Sequence, residues 1–171
     1  VDCLTIITKL AQVADLCRQW GNFSSLLTIS SAIYSPQIYS QRSALINLSR
    51  DTKILIRNLS ELMSPELGYK KYHSALRAVK KPPCIPYLGL ILRQLVTIDE
   101  CQPDQIDGHI NFTKRSQFYN AVALVFRYRK TPFPFTSSVI DYHAPILRIL
   151  EDPPQYSDNE LDMLLVCGPF S

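Results

Sequence analysis

The feature that most constrains the fold is a cluster of prolines that leads directly into a helix-forming segment, within residues 81–104 (KPPCIPYLGLILRQLVTIDECQPD). The prolines fix their own φ angles and disfavour helical backbone in the residues before them, which predicts that Cys84 and Ile85 are extended. A helix is predicted over residues 87–100, and Pro103 prevents a further turn. Its apolar residues recur at helical spacing and are Leu88, Ile91, Leu92, Leu95 and Ile98.

Val96 and Glu100 stand one turn apart near the end of this predicted helix. Residues four apart share one face of an α-helix. Neither of the two belongs to the main apolar stripe. The spacing therefore predicts that this pair faces away from the core.

The rest of the chain is predicted to form further helices separated by proline, glycine and serine. The predicted segments are residues 2–19, 22–34, 50–63, 69–79, 112–128, 138–150 and 157–166, with a short turn at 37–41. Gly21 and Asn22 are predicted to cap the first two helices, and Ser157 with Glu160 forms a capping box. No stretch alternates with a period of two, so we predict an all-α fold in a single domain, residues 1–171.

The helix at 112–128 is predicted to pair with the one at 87–100 as an antiparallel hairpin, with a turn over Asp107, Gly108 and His109 between them. Its side chains expected to face inward are Phe118, Ala121, Val122, Val125 and Phe126.

Composition bounds the class of protein. With 171 residues and 46% hydrophobic content, the chain is long enough to bury a core. A formal net charge of +3 is too small to indicate nucleic-acid binding, for which a basic stripe is expected. No apolar run approaches the ~20 residues that cross a bilayer, and the N-terminus lacks the pattern of a signal peptide, so we expect a cytoplasmic protein.

Sites for conventional catalysis or for a cofactor do not emerge from the sequence. The five cysteines are scattered without a C-x-x-C pair, and the three histidines have no metal-ligand spacing. No glycine-rich phosphate loop and no G-x-S-x-G motif is present. The sequons at Asn22, Asn47, Asn58 and Asn111 are interpreted as structural, and Asn22 and Asn111 as helix caps. We therefore expect no cofactor and no metal.

A basic cluster precedes the prolines. It consists of Lys70, Lys71, Arg77, Lys80 and Lys81. A solvated helix face is the usual reading of such a cluster. Contact with an acidic partner or an anionic membrane is the alternative, which charge alone leaves open.

Several motifs occur in order along the chain: VADLCRQWGNFSSLLTISSAI (13–33), YKKYHSALR (69–77), PPCIPYLGLIL (82–92), DECQPD (99–104) and INFTKR (110–115). Together they closely resemble the catalytic domain of Ras-family guanine-nucleotide exchange factors, and the resemblance extends to the closing DNELDMLLVCGP. It implies an all-helical bowl with a protruding helical hairpin, residues 87–100 and 113–128. It also implies that the chain begins inside an internal helix of that domain, so the opening helices are expected to be absent.

The resemblance also implies a site. In this family the first hairpin helix inserts between the two switch regions of a GTPase. An apolar side chain there crowds the Mg²⁺ position, and a glutamate one turn further occupies the region of the α-phosphate; these positions fall on Val96 and Glu100. Contacts with the switch regions fall on Leu27, Ser31, Tyr39, Tyr69 and Tyr87. The implied function is release of GDP from a Ras-like small GTPase without covalent chemistry.

Some residues near this implied partner surface depart from the family pattern. Tyr34 stands where relatives usually carry Asn, and Cys101 and Gln102 replace the Gly and Asn of the usual E-G-N-P. These departures leave open an alternative, a catalytically weak or inactive GTPase-binding module. Peripheral recruitment to the inner face of the plasma membrane, through the GTPase or through regions outside the chain, also stays open.

Overall fold

Helices make up nearly all the regular structure. The computed structural model describes residues 3–36, 38, 46–79, 83–129, 131–134, 144–157 and 159–160. Its helices are α1 Cys3–Gln19, α2 Phe23–Ile33, α3 Arg50–Leu62, α4 Lys70–Ala78, α5 Leu88–Cys101, α6 Phe112–Arg129 and α7 Ala144–Glu151. A small antiparallel sheet, β1 Gln105–Ile106 and β2 His109–Ile110, lies between α5 and α6. The prediction of an all-α fold is confirmed.

Gly21 and Asn22 form a tight joint between α1 and α2, as predicted. Gly21 adopts φ +69°, a left-handed conformation that glycine tolerates best and that commonly ends a helix. The side chain of Asn22 accepts a hydrogen bond of 3.0 Å from the N–H of Ser25, which satisfies one of the free donors at the start of α2. The joint allows α1 and α2 to pack against each other and against α3.

Two apolar clusters hold these helices together. The first, which we call the central cluster, contains Ala14, Phe23, Leu26, Leu59, Met63, Tyr72, Leu76, Cys84 and Tyr128. The second contains Ile7, Ala11, Ile33, Leu48 and Ile56. Tyr72 is 1% exposed and meets the ring of Phe23 edge to face at 5.4 Å, a favourable arrangement of aromatic rings. Cys84 lies just before α5, and Tyr128 lies near the end of α6. The central cluster therefore joins the base of these two helices to the rest of the protein.

The lead-in to α5 pairs with the α1–α2 joint in a parallel bridge. The N–H of Ile85 donates to the carbonyl of Gly21 at 2.9 Å, and the N–H of Phe23 donates to the carbonyl of Ile85 at 2.9 Å. The extended conformation predicted from the prolines is therefore confirmed at Ile85. Near the end of α6, Tyr128 donates its hydroxyl to the carbonyl of Leu76 in α4 at 3.2 Å.

Asp107 and Gly108 form the turn between β1 and β2. Their φ angles are +51° and +77°. Positive φ at both central residues is the requirement of a type I′ hairpin turn, for which Asp-Gly is a preferred sequence. The predicted turn is confirmed. The flanking strands were not predicted, because two residues are too few to show a period of two.

α6 buries most of the predicted face and extends it at both ends. Ala121 is buried as predicted, and Phe118 and Val125 are half-buried. The prediction was wrong for Val122 and Phe126, which are 37% and 54% exposed. The other buried residues of α6 are Lys114 and Tyr128, which were missed because the prediction followed apolar residue types and not the stem of a lysine.

Some predicted elements extend beyond the described residues. The turn at 37–41 lies largely outside them, and α7 is the described part of the helix predicted at 138–150. The capping box is confirmed, since the N–H of Ser157 donates to the carboxylate of Glu160 at 2.8 Å and the N–H of Glu160 donates to the Ser157 hydroxyl at 3.4 Å. The rest of the helix predicted at 157–166 lies outside the described residues.

Candidate functional site

One side of α5 is exposed although it carries several apolar residues. Ile91 and Ile98 are buried, each at 6% exposure. Three apolar residues spaced four apart, and Glu100 after them, are exposed. The three are Leu88, Leu92 and Val96, at 48%, 62% and 54% exposure. We call Leu88, Leu92, Val96 and Glu100 the exposed stripe of α5; contiguous apolar surface of this kind marks interaction sites.

Glu100 differs from the other carboxylates near the end of α5. Among the residues that the structure describes, none forms an ion pair or hydrogen bond with its carboxylate. Asp99 and Asp104 are both paired with Lys114, at 2.9 and 3.0 Å. The hydrogen bond from Lys114, with attraction from Arg115, holds the pKa of Asp104 below its ordinary value. Within the described ranges, Glu100 therefore differs from both aspartates in having no basic partner.

Tyr87 is held at the start of α5 by two contacts that the sequence analysis did not predict. Its backbone N–H donates to the hydroxyl of Tyr72 at 3.0 Å. Its ring lies over Gly89, where a Cβ would stand 2.6 Å from the ring Cζ and hydroxyl oxygen. The signal in the sequence was the glycine two residues after Tyr87, inside a helix that disfavours glycine.

Tyr69 sits in a strained turn before α4. It adopts φ +59° and ψ +35°, after Leu67 at φ +51° and Gly68 at φ +64°. A left-handed conformation costs a residue other than glycine about 1–3 kcal/mol and persists only where the surroundings enforce it. Tyr69 packs against the central cluster, which supplies that constraint.

Three of the predicted contact residues pack against the same apolar cluster. Leu27, Tyr69 and Tyr87 are all half-buried and all pack against the central cluster. Ser31 is exposed on α2, one turn after Leu27. Tyr39 lies outside the described residues, so its predicted contact is not placed.

An open groove of about 780 Å³ lies elsewhere, between α1, α3 and α4. Its walls include two exposed ion pairs, Asp15 with Arg18 and Glu61 with Lys71, each at 2.7 Å. None of the predicted site residues lines this groove.

The chain belongs to the RasGEF domain family, whose model matches residues 2–116. The resemblance inferred from the motifs is confirmed. None of the helices in the described ranges is long and apolar enough to cross a membrane.

Three relatives illustrate the similarity. The chain is 31% identical over 143 residues, 77% of its length, to the guanine nucleotide exchange factor SDC25 of Saccharomyces cerevisiae (strain YJM789). It is 31% identical over 133 residues, 76% of its length, to the cell division control protein 25 of Candida albicans (strain SC5314 / ATCC MYA-2876). It is 30% identical over 158 residues, 92% of its length, to the Ras-specific guanine nucleotide-releasing factor 1 of Homo sapiens. These matches span 11%, 10% and 12% of the relatives' own length.

Proposed function

We propose that this domain is a guanine-nucleotide exchange factor for a Ras-like small GTPase, and that α5 acts by inserting between the two switch regions of its partner. The observation that carries the proposal is the exposed stripe of α5, in which Val96 lies one turn before the exposed Glu100. Family membership and the names of the relatives support the same activity.

The chemistry of this pair suits displacement of a metal and a phosphate. Mg²⁺ requires near-octahedral oxygen ligation at about 2.0–2.1 Å, and the branched alkyl group of Val96 offers no oxygen. A carboxylate repels phosphate, and the repulsion is strongest where water is excluded. Because Glu100 has no cationic partner in the described chain, its charge is available to act on the nucleotide site.

The remaining contacts supply binding free energy. Leu27, Tyr69 and Tyr87 are packed against the central cluster, so little side-chain freedom is lost when a partner binds them. Ser31 adds an exposed hydroxyl on α2. We propose that these four, together with Tyr39, contact the switch regions.

The proposed reaction forms and breaks no covalent bond. A protein that binds the nucleotide-free GTPase more tightly than the loaded form must weaken nucleotide binding by the same factor. The cellular nucleotide pool then decides which nucleotide rebinds. We propose that the protein is cytoplasmic and that it is recruited to the inner face of the plasma membrane through its GTPase or through regions outside this chain.

A second candidate function is a module that binds a GTPase without releasing its nucleotide. It is favoured by Tyr34, which is 44% exposed at the end of α2, three residues after Ser31. A tyrosine ring at this place, where the family usually carries the smaller Asn, changes the shape of the surface beside a predicted contact. Such a change can preserve binding of the GTPase while altering its orientation relative to α5.

Release of a fluorescent GDP analogue from a panel of Ras-like GTPases, with and without this chain, tests the proposal. The proposed function predicts faster release for at least one member. Binding to a loaded GTPase without faster release would support the second candidate and contradict the first. Absence of both binding and release across the panel would contradict both.

A further inference from the structure

The facing ends of α5 and α6 carry charges that oppose their own helix dipoles. The last turns of α5 contain Asp99 and Glu100 and no basic residue in the final turn. The first turn of α6 contains Lys114 and Arg115 and no acidic residue. Negative charge at a helix C-terminus and positive charge at an N-terminus are both unfavourable. The start of α6 is capped locally, since the N–H of Lys114 donates to the side chain of Asn111 at 3.1 Å. The charges at the two ends are nevertheless each unfavourable within their own helix.

Lys114 makes the connection between the two ends. Its side chain is only 3% exposed, and its ammonium group lies 2.9 Å from Asp99 Oδ1 and 3.0 Å from Asp104 Oδ1. It also donates to the backbone carbonyl of Asp99 at 3.2 Å. That carbonyl is among the last four of α5, which accept no hydrogen bond from an N–H group of the same helix. Lys114 thus provides from α6 both the counter-charge and the hydrogen-bond donor that α5 lacks.

In the part of the chain that the structure describes, no second side chain caps the final turn of α5. Its C-cap residue Gln102 is extended, at φ −127° and ψ 130°, so the left-handed cap that closes many helices is absent here. Beyond the helix, Gln102 donates to Gln117 at 2.7 Å, and Arg115 donates to Asp104 at 3.0 Å. These bonds hold the connecting segment, whereas only Lys114 among these residues bonds to the final turns of α5.

We propose that Lys114 is a positioning residue for Glu100: by capping the last turn of α5 and neutralising its neighbours, it fixes the direction of the glutamate and leaves its charge unpaired. The inference rests on the proposed exchange activity and extends it to a residue that touches no nucleotide. The charges at both helix ends depart from local preference and compensate each other through Lys114, a pattern that is expected where function sets the sequence.

The test uses the 171-residue chain with Lys114→Met, which keeps the length of the stem and removes the charge. Arg115→Met is the matched control, because Arg115 bonds to Asp104 and not to α5. Release of fluorescent GDP is measured against the concentration of the chain, using the GTPase that responds in the panel. We expect K114M to lower the maximal release rate on the order of tenfold, as for groups coupled in one network, and to change the half-saturating concentration by less than about twofold. The maximal release rate of R115M should differ from that of the parent by less than about twofold.

A double-mutant cycle with Glu100→Ala separates positioning from a merely structural role. If Lys114 acts through Glu100, K114M should slow release by less than about twofold further in the E100A background. Amide hydrogen exchange of residues 99–102 should also be faster in K114M than in the parent, since the last turn of α5 opens more often. Should K114M fail to fold, Asp99→Asn is the alternative, because it removes the charge of one of the two aspartates that pair with Lys114. D99N should slow GDP release and speed amide exchange, each by a smaller factor than K114M.

Equal slowing by K114M in both backgrounds, or unchanged amide exchange at residues 99–102, would overturn the inference while leaving the proposed function intact. A parent chain that releases no nucleotide would overturn the proposed function and the inference with it. The two failures are distinguishable, because E100A differs from the parent in the first case and not in the second.

Discussion

The hydroxyl oxygen of Tyr72 accepts a hydrogen bond of 3.0 Å from the backbone N–H of Tyr87, which joins the buried centre of α4 to the residue that precedes α5. Burial raises the pKa of Tyr72 to about 12, so the phenol stays protonated at neutral pH. The first peptide of the hairpin is thereby fixed to the central cluster.

Tyr72→Phe should destabilise the protein without leaving a cavity in the core. The substitution keeps the ring that packs on Phe23 but leaves the N–H of Tyr87 without its acceptor, which costs about 1–3 kcal/mol. The free energy of unfolding, obtained from urea titration, measures this loss. Tyr119→Phe, at a site that is 71% exposed, is the control and should change it by less than about 0.5 kcal/mol. Equal stability of Y72F and the parent would show that the bond does not hold the base of α5.

Gly89→Ala should displace the ring of Tyr87 while preserving the fold. The added methyl group would stand 2.6 Å from the far end of the ring, which can rotate away, whereas alanine itself favours the helix. We expect the half-saturating concentration for GDP release to rise severalfold. In the Tyr87→Ala background the same substitution should have no effect, and a loss of equal size there would contradict the contact.

The ion pairs of Asp104 predict a loss of stability in acid. Its pKa is lowered in the folded protein from an ordinary 3.8, so the pairs contribute fully above that value and are lost as pH falls through the lower folded value. The difference in unfolding free energy between the parent and Asp104→Asn should therefore be constant near neutral pH and shrink below pH 3.8. Urea unfolding at a series of pH values measures it, and a difference that persisted in strong acid would contradict the assignment.

The basic cluster is expected to be a solvated face. Lys71 already pairs with Glu61 on α3 at 2.7 Å, and Lys80 and Lys81 lie outside the described residues. Charge reversal at Lys70 and Arg77 should then leave the association rate with the GTPase unchanged at low and high salt. A severalfold drop in that rate confined to low salt, measured by stopped flow, would instead indicate electrostatic steering by an acidic partner.

Sequence patterns predicted the helices well and the tertiary contacts poorly, for a physical reason. Proline restriction, the glycine at position 21 and the Asn22 cap act within a few residues, so the lead-in and the α1–α2 joint were predictable. The partners of Lys114 and the acceptor of the Tyr87 N–H come from other helices, and no local pattern identifies them. The inward face of α6 was predicted at Ala121 but missed Lys114, because burial of a lysine stem depends on the aspartates that it meets.

The central claim is tested most directly by Val96→Ala and Glu100→Ala, with Gln94→Ala as the control. Gln94 is exposed on α5 but lies about 200° around the helix from Val96. All three variants should melt like the parent, since none of these side chains is buried. The release rate of fluorescent GDP, measured by stopped flow, should be lower by about tenfold or more for V96A and for E100A, which corresponds to about 1.4 kcal/mol in the activation free energy. The rate for Q94A should match that of the parent. Release by V96A and E100A as fast as that by Q94A would contradict insertion of this face of α5 into the nucleotide site.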